Sequence, residues 1–264
     1  MSRTYLQGLF FLLMVVHCIG CGPVPPPNDA YTKAPTLLED LVEKREKIRS
    51  FRIIGRVDHF GEEHRIQGKT FLFAELPERL RIELVSPFGN PLSVLTVNDG
   101  VFALHDMREG HFFIGPAEPC NIARLVQLPL PPSDVIRILI GHSPLINGVS
   151  TVTWNKNGYY DVSIRQGNRI QQLRVGKDRS MLPLLQSKLE DSGQLVFDIT
   201  YERWKHSNGV FVPHEIRIKM PHDKVDLLIR YDDDGVEVNV EMPDDAWVQS
   251  PPEGIQVEQV DCDS

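Results

Sequence analysis

Apolar and polar residues alternate with period two over most of the chain. Phe51, Ile53 and Val57 share one parity, against Arg52, Arg56 and Asp58 on the other. "ERLRIELV" sets Leu80, Ile82 and Leu84 against Arg79, Arg81 and Glu83. In "GVFVPHEIRIKM" Val210, Val212, Ile216, Ile218 and Met220 fall together, and in "KVDLLIRY" so do Val225, Leu227, Ile229 and Tyr231. Such alternation predicts antiparallel strands with one wet face. Further strands are expected near 64–76, 91–98, 100–106, 150–155, 159–165, 169–176, 182–190, 194–204 and 236–241, several joined by Gly-containing hairpin turns.

Two stretches break the period. "TLLEDLVEKREKIRS" carries Leu37, Leu38, Leu41, Val42 and Ile48 at helical spacing, which predicts a helix over 36–49 with Thr36 and Glu39 as a capping box. Residues 118–144 predict two short helices around "LPLPP", with Ser133 as N-cap and Gly141 as the stop. The fold class is therefore α+β, mainly antiparallel β. A sheet of this many strands either closes into a barrel or curls around something. If it curls, the helices at 36–49 and 119–141 are the available covers. The expectation is an incomplete, curled barrel whose short helices form a lid over an apolar cavity. Ile53, Val57, Leu80, Ile82, Leu84, Ile216, Ile218, Leu227 and Ile229 are the expected lining.

One turn stands out. "VSPFGNPL" is marked as a turn by Pro87, Gly89 and Pro91, yet Phe88 occupies its tip. Burying a Phe side chain is worth about 1.5–3 kcal/mol. Either Phe88 folds back onto the core or an apolar surface outside the protein receives it.

The first residues change the picture of where the chain works. Arg3 precedes the apolar run "LFFLLMVVHCIG", which is too short to span a bilayer comfortably and reads as an export signal. "CIGC" resembles the bacterial lipobox, with Cys18 in place of the usual Leu, and would leave Cys21 as an acylated N-terminus. An ordinary signal peptide with an incidental cysteine is the alternative. Residues 22–35, "GPVPPPNDAYTKAP", read as a semi-rigid tether. The organisation expected is a signal peptide at 1–20, an acylated cysteine and tether at 21–35, and a single domain at 36–264.

Charge and cysteines narrow the partners. The formal net charge is −8, and removing residues 1–20, whose only charged side chain is Arg3, brings it near −9. That balance argues against nucleic acid. An oxidising compartment permits a disulfide between Cys120 and Cys262. Two free thiols are the other reading, since sequence does not give the Cα separation.

Catalytic patterns fail at defining positions. "GHSPL" has Leu145 where a nucleophile elbow needs Gly. "GKT" at 68–70 has Glu63 where a phosphate loop needs its first Gly. "DDDG" at 232–235 has Pro243 where a calcium loop needs Glu, and reads as a solvated hairpin tip. His59 and His64, and His105 and His111, flank two expected turns, which would have to meet to hold a metal; exposed turn histidines are the simpler reading. No catalytic residue, no metal and no cofactor beyond the lipid on Cys21 are expected, and the protein is read as not an enzyme.

With these residues in view the chain resembles the LolB family of outer-membrane lipoprotein receptors, within the LolA/LolB superfamily. "RLRIELVSPFGNPLSVL" resembles the family's basic-apolar strand and N-P-L-G-type turn. "IARLVQLPLPPSDVIRILIGHSP" resembles its paired helical segment with an L-P-I-P turn. The likeness spans about residues 36–231; Ile138 stands where the family often has Trp, and the tail from Gly235 is longer than a minimal LolB. The resemblance implies an incomplete barrel under a helical lid, cargo of acylated lipoproteins or lipids, and a soluble LolA-type carrier as partner. It implies delivery into the outer membrane, with Phe88, flanked by Pro87 and Gly89, as the residue that touches lipid. Gly22, rather than Asp, after the acylated cysteine points to the outer membrane by the sorting rule known for such proteins. A structural or assembly lipoprotein with a filled core is the competing reading.

Overall fold

The computed structural model describes residues 22–60 and 65–262. The expected signal, the lipid site at Cys21 and His64 lie outside these residues.

Two meanders meet along one seam. The first half of the chain runs up and down as β1 (Ser50–Phe60), β2 (Arg65–Glu75), β3 (Arg79–Val85), β4 (Pro91–Asn98), β5 (Val101–Asp106) and β6 (His111–Pro116). After a helical interlude come β7 (Val149–Asn155), β8 (Tyr159–Gln166), β9 (Arg169–Gly176), β10 (Leu184–Asp191) and β11 (Gln194–Glu202). A small hairpin of β12 (Lys205–Ser207) and β13 (Val210–Val212) precedes β14 (Glu215–Met220) and β15 (Val225–Val238), and β16 (Gln256–Gln259) comes last. β1 pairs antiparallel with β15, which joins both halves into one 14-stranded sheet. β16 and β7 are its two edges, so it is not closed into a barrel.

This order dictates the lid. β6 lies beside one edge of the sheet and β7 is the other edge. The segment between them must therefore travel across the sheet, and it does so as α2 (Pro119–Val126) and α3 (Pro132–Leu139). Pro129 and Pro131 separate the two, since proline has no N–H to continue a helix, and Pro132 opens α3. The curled sheet and its covering helices are those expected from the sequence.

The preceding helix, α1 (Ala34–Glu46), starts earlier than its apolar spacing suggests. Pro35 sits in its first turn, Lys33 is the N-cap, and no side-chain cap is made, so the expected Thr36–Glu39 capping box is replaced by a proline start. Likewise α3 begins at Pro132 with Pro131 as N-cap, two residues before the expected cap, Ser133. Gly141 does end the segment, with φ of 82°.

The pairing at the seam is irregular. Register shifts between Ile53 and Gly55 against β15, and a Cβ at Gly55 would lie 2.4 Å from the Arg230 carbonyl oxygen. Opposite it, Asp232 to Gly235 belong to β15 and are not a hairpin tip. Asp233 pairs with Arg203 and Lys205, both at 2.7 Å.

The proline-rich segment is docked rather than extended away from the body. Val24 donates its N–H to the Lys156 carbonyl at 2.8 Å, and the Trp154 indole donates to the Val24 carbonyl at 2.9 Å. Tyr31 is buried edge-on against Tyr160. Aromatic burial on the β7–β8 hairpin outweighs the chain entropy of a free tether. The tail is docked too. A 3₁₀ turn at Asp244–Trp247 buries Trp247, Arg81 donates to the Ala246 carbonyl at 3.1 Å, and Gln249 donates to the Val94 carbonyl at 3.1 Å. β16 then adds in parallel to β6, and Cys262 is disulfide-bonded to Cys120 at the start of α2, with Cα atoms 5.7 Å apart.

Candidate functional site

Between the sheet and the lid lies an apolar cavity of about 60 Å³. Its floor is Val57 and His59 of β1, Thr70 and Leu72 of β2, Ile82 and Leu84 of β3, and Leu227 and Ile229 of β15. Its roof is Leu125 and Gln127 at the end of α2, Leu128 beyond it, and Val135 and Leu139 of α3. Period-two alternation places every floor residue on the covered face. The roof follows from two helices of strong amphipathicity laid apolar side down.

Of the residues expected to line it, Val57, Ile82, Leu84, Leu227 and Ile229 do so. Ile53, Leu80, Ile216 and Ile218 are buried on the same face but do not line the cavity. Ile216 and Ile218 lie one strand further along, on β14, and Ile53 and Leu80 lie toward the other ends of β1 and β3, where core side chains fill the space.

His59 departs most from its sequence reading. It is not an exposed turn residue; it lies within β1, is 7 % exposed, and neither ring nitrogen has a hydrogen-bond partner. Its parity, shared with Ile53 and Val57, is the signal that places it inside. Burial pushes its pKa down from the ordinary value, opposed by the Asp226 carboxylate. His105 and His111 sit on β5 and β6, four and five strands from β1 in the sheet. His111 instead meets Glu258 of the tail at 2.5 Å. Among the described residues, the one group with metal-ligating spacing is Glu118, Cys120 and Cys262, and its two sulfurs are bonded to each other.

The lid is fastened at both ends and not in the middle. At its start the disulfide holds Cys120, and Asn121 donates to the Pro116 carbonyl at 2.9 Å. At its end Tyr231 donates to the Leu139 carbonyl at 2.8 Å, and Tyr201 donates to the His142 carbonyl. Gly141 packs against the Trp204 ring, over which the buried Arg45 guanidinium lies at 4.6 Å. Arg45 itself donates to the carbonyls of Phe211, Met181 and Leu182 at 3.1–3.3 Å, and burial lowers its pKa to about 10. Beyond the lid, Ser143, Ser187 and Gln171 form a buried network, with Gln171 donating to the Pro144 carbonyl at 2.8 Å. Among the described residues none of 122–138 hydrogen-bonds to the sheet. Apolar contact across the cavity and the Arg124 guanidinium, 5.6 Å from the centre of the Phe113 ring of β6, hold that stretch down, and Gln127, in the left-handed region at φ 54°, marks its break.

The β3–β4 turn presents Phe88 to solvent at 92 % exposure. Ser86 accepts from the Gly89 N–H at 3.0 Å and donates its own N–H to the Asn90 carbonyl at 2.8 Å, which closes the turn. Gly89 takes φ of 88°, a conformation open to glycine at little cost. Pro87 and Gly89 thus shape the tip, and Phe88 has no place in the core.

Neither a family model nor a curated protein sequence matches this chain. Solved structures do. A DUF1329 family protein from Desulfovibrio piger aligns over 83 % of this chain and 98 % of its own, with TM-score 0.54 and 11 % identity. A LolA superfamily protein from Nitrosomonas europaea aligns over 83 % of this chain and 99 % of its own, with TM-score 0.52 and 13 % identity. The fold is of the LolA type. At such identities the likeness is one of architecture alone.

Proposed function

We propose that this protein handles acyl chains in the bacterial cell envelope. In this reading Cys21 carries a lipid that anchors the chain to the periplasmic face of the outer membrane. The cavity accepts the acyl chains of lipoproteins or lipids, handed over by a soluble LolA-type carrier, and Phe88 touches the bilayer during delivery. No catalytic group, metal or cofactor takes part, and the protein is not an enzyme.

The observation that carries the reading is an apolar cavity under a lid whose residues 122–138 make no hydrogen bond to the sheet among the described residues. Each buried CH₂ is worth about 0.8 kcal/mol. A multiply acylated cargo thus gains tens of kcal/mol from an apolar shelter, and needs no covalent chemistry to be moved. An exposed aromatic at a turn is suited to lower the barrier at a membrane surface.

The cavity volume favours a second reading. About 60 Å³ is well below the roughly 150 Å³ that admits a benzene ring. An acyl chain enters only if the middle of the lid lifts. If it stays down, the protein is a structural or assembly lipoprotein with an almost filled core.

Displacement of a fluorescent apolar probe separates the two. A triacylated peptide that displaces the probe, where its unacylated twin does not, supports acyl handling. A folded protein that binds no probe supports the structural role.

A further inference from the structure

The aliphatic wall of the cavity contains one group that its surroundings do not satisfy. His59 is 7 % exposed, it lies directly across the seam from Leu227, and neither of its ring nitrogens has a partner. A buried polar group without a partner destabilises the fold until something pairs with it. A neutral imidazole offers one N–H and one lone pair. Thr70, the nearest comparison in the floor, has its hydroxyl proton committed to the Glu83 carbonyl and is left only as an acceptor. Neither the Thr70 hydroxyl nor the Gln127 amide, the other polar side chains of the lining, hydrogen-bonds to either ring nitrogen, so the acceptor for the His59 N–H comes from outside. It must also arrive on an apolar body, since Val57, Leu84, Leu125 and Leu227 form the wall around it.

We infer that His59 is the polar anchor of this cavity and donates a hydrogen bond to the carbonyl of an acyl ligand, whose hydrocarbon lies along the aliphatic floor. The inference rests on the acyl-handling reading and adds to it the ligand class, a single chain ending in a carbonyl, and the residue that fixes its register. The carbonyl belongs either to a free fatty acid or to an acyl ester or amide of a larger lipid.

The test uses the full chain, purified in a fluorinated surfactant whose tails mix poorly with hydrocarbon. Wild type, His59→Leu and His59→Gln are compared by displacement of a fluorescent apolar probe with undecane, methyl decanoate and decanoic acid. Undecane is expected to displace equally from all three. The leucine variant is expected to weaken the carbonyl ligands about tenfold, and glutamine, which keeps a donor, to recover part of the loss. Dependence on His59 for decanoic acid alone assigns a free fatty acid; dependence for the ester assigns a bound acyl group. Equal curves for the carbonyl ligands on wild type and His59→Leu overturn the inference while leaving the cavity reading intact. Failure of undecane to displace the probe from wild type overturns both. Should the leucine variant not fold, His59→Phe, closer in shape to imidazole, carries the same comparison.

Discussion

The Tyr231 hydroxyl donates to the Leu139 carbonyl at 2.8 Å, tying the middle of the sheet to the last turn of the lid. Both partners are buried, and burial holds the Tyr231 pKa well above its ordinary value, so the hydroxyl remains a donor at any working pH. Tyr231→Phe removes the donor and leaves a buried carbonyl unpaired. We expect a loss of about 1–3 kcal/mol in urea unfolding together with faster probe uptake. Unchanged stability would mean that the lid does not need this fastening.

The opposite fastening is covalent. The Cys120–Cys262 bond closes a sequence separation of 142 residues and ties both the tail and α2 beside β6. Replacing both cysteines by serine is expected to cost about 2–5 kcal/mol, as for other long loops. Denaturant midpoints with and without reductant check this, and the double variant should show no further response to reductant.

Gly141 sits at φ 82°, where a Cβ would lie 2.3 Å from the Trp204 ring. Gly141→Ala must therefore both adopt a disfavoured backbone and displace an indole, and is expected to destabilise by about 2 kcal/mol or more. Gly89, equally at positive φ but with open space around it, is the control: Gly89→Ala should cost only the backbone part, about 1 kcal/mol.

Phe88 is 92 % exposed, so Phe88→Glu is expected to change stability by no more than about 0.5 kcal/mol. The same change should weaken binding of the protein to anionic or neutral vesicles in a flotation assay. A large fall in thermal stability would place the side chain in the core and remove it from any membrane role.

His142 gives a pH dependence of known sign. Burial, aided by Arg137 and Arg45, pushes its pKa down to about 4 against an ordinary value of 6.5, while the Ser143 carbonyl opposes the shift. The unfolded chain thus binds the extra proton over that window, and stability present above pH 6.5 is lost as pH falls toward 4, by up to about 3 kcal/mol. Comparing unfolding free energies of wild type and His142→Asn between pH 7 and 4 isolates this contribution. Parallel curves would show that His142 titrates normally in the fold.

Period-two alternation by itself determined which side of each strand is covered, because side-chain direction along a strand is a local property. Val57, Ile82, Leu84, Leu227 and Ile229 border the cavity from that face, and Pro129, Pro131 and Pro132, which have no N–H, mark the break in the lid. The alternation also carried a signal that its simpler reading passes over. His59 shares the parity of Val57, and β4 is buried continuously from Ser93 to Val97 because core covers one face and the tail covers the other. β6, β12 and β16 have too few alternating positions to stand out, and β16 exists through pairing with β6 alone.

The tertiary structure decided the rest. It joined β1 to β15 and so sent the β6–β7 connection across the sheet as a lid. It docked Val24 and Tyr31 where composition suggests a tether, and brought Cys262 to Cys120. It also separated the residues that border the cavity from equally apolar neighbours that only fill the core. These outcomes depend on contacts between segments far apart in the chain. Periodicity fixes the face a residue presents, but only packing fixes what that face meets.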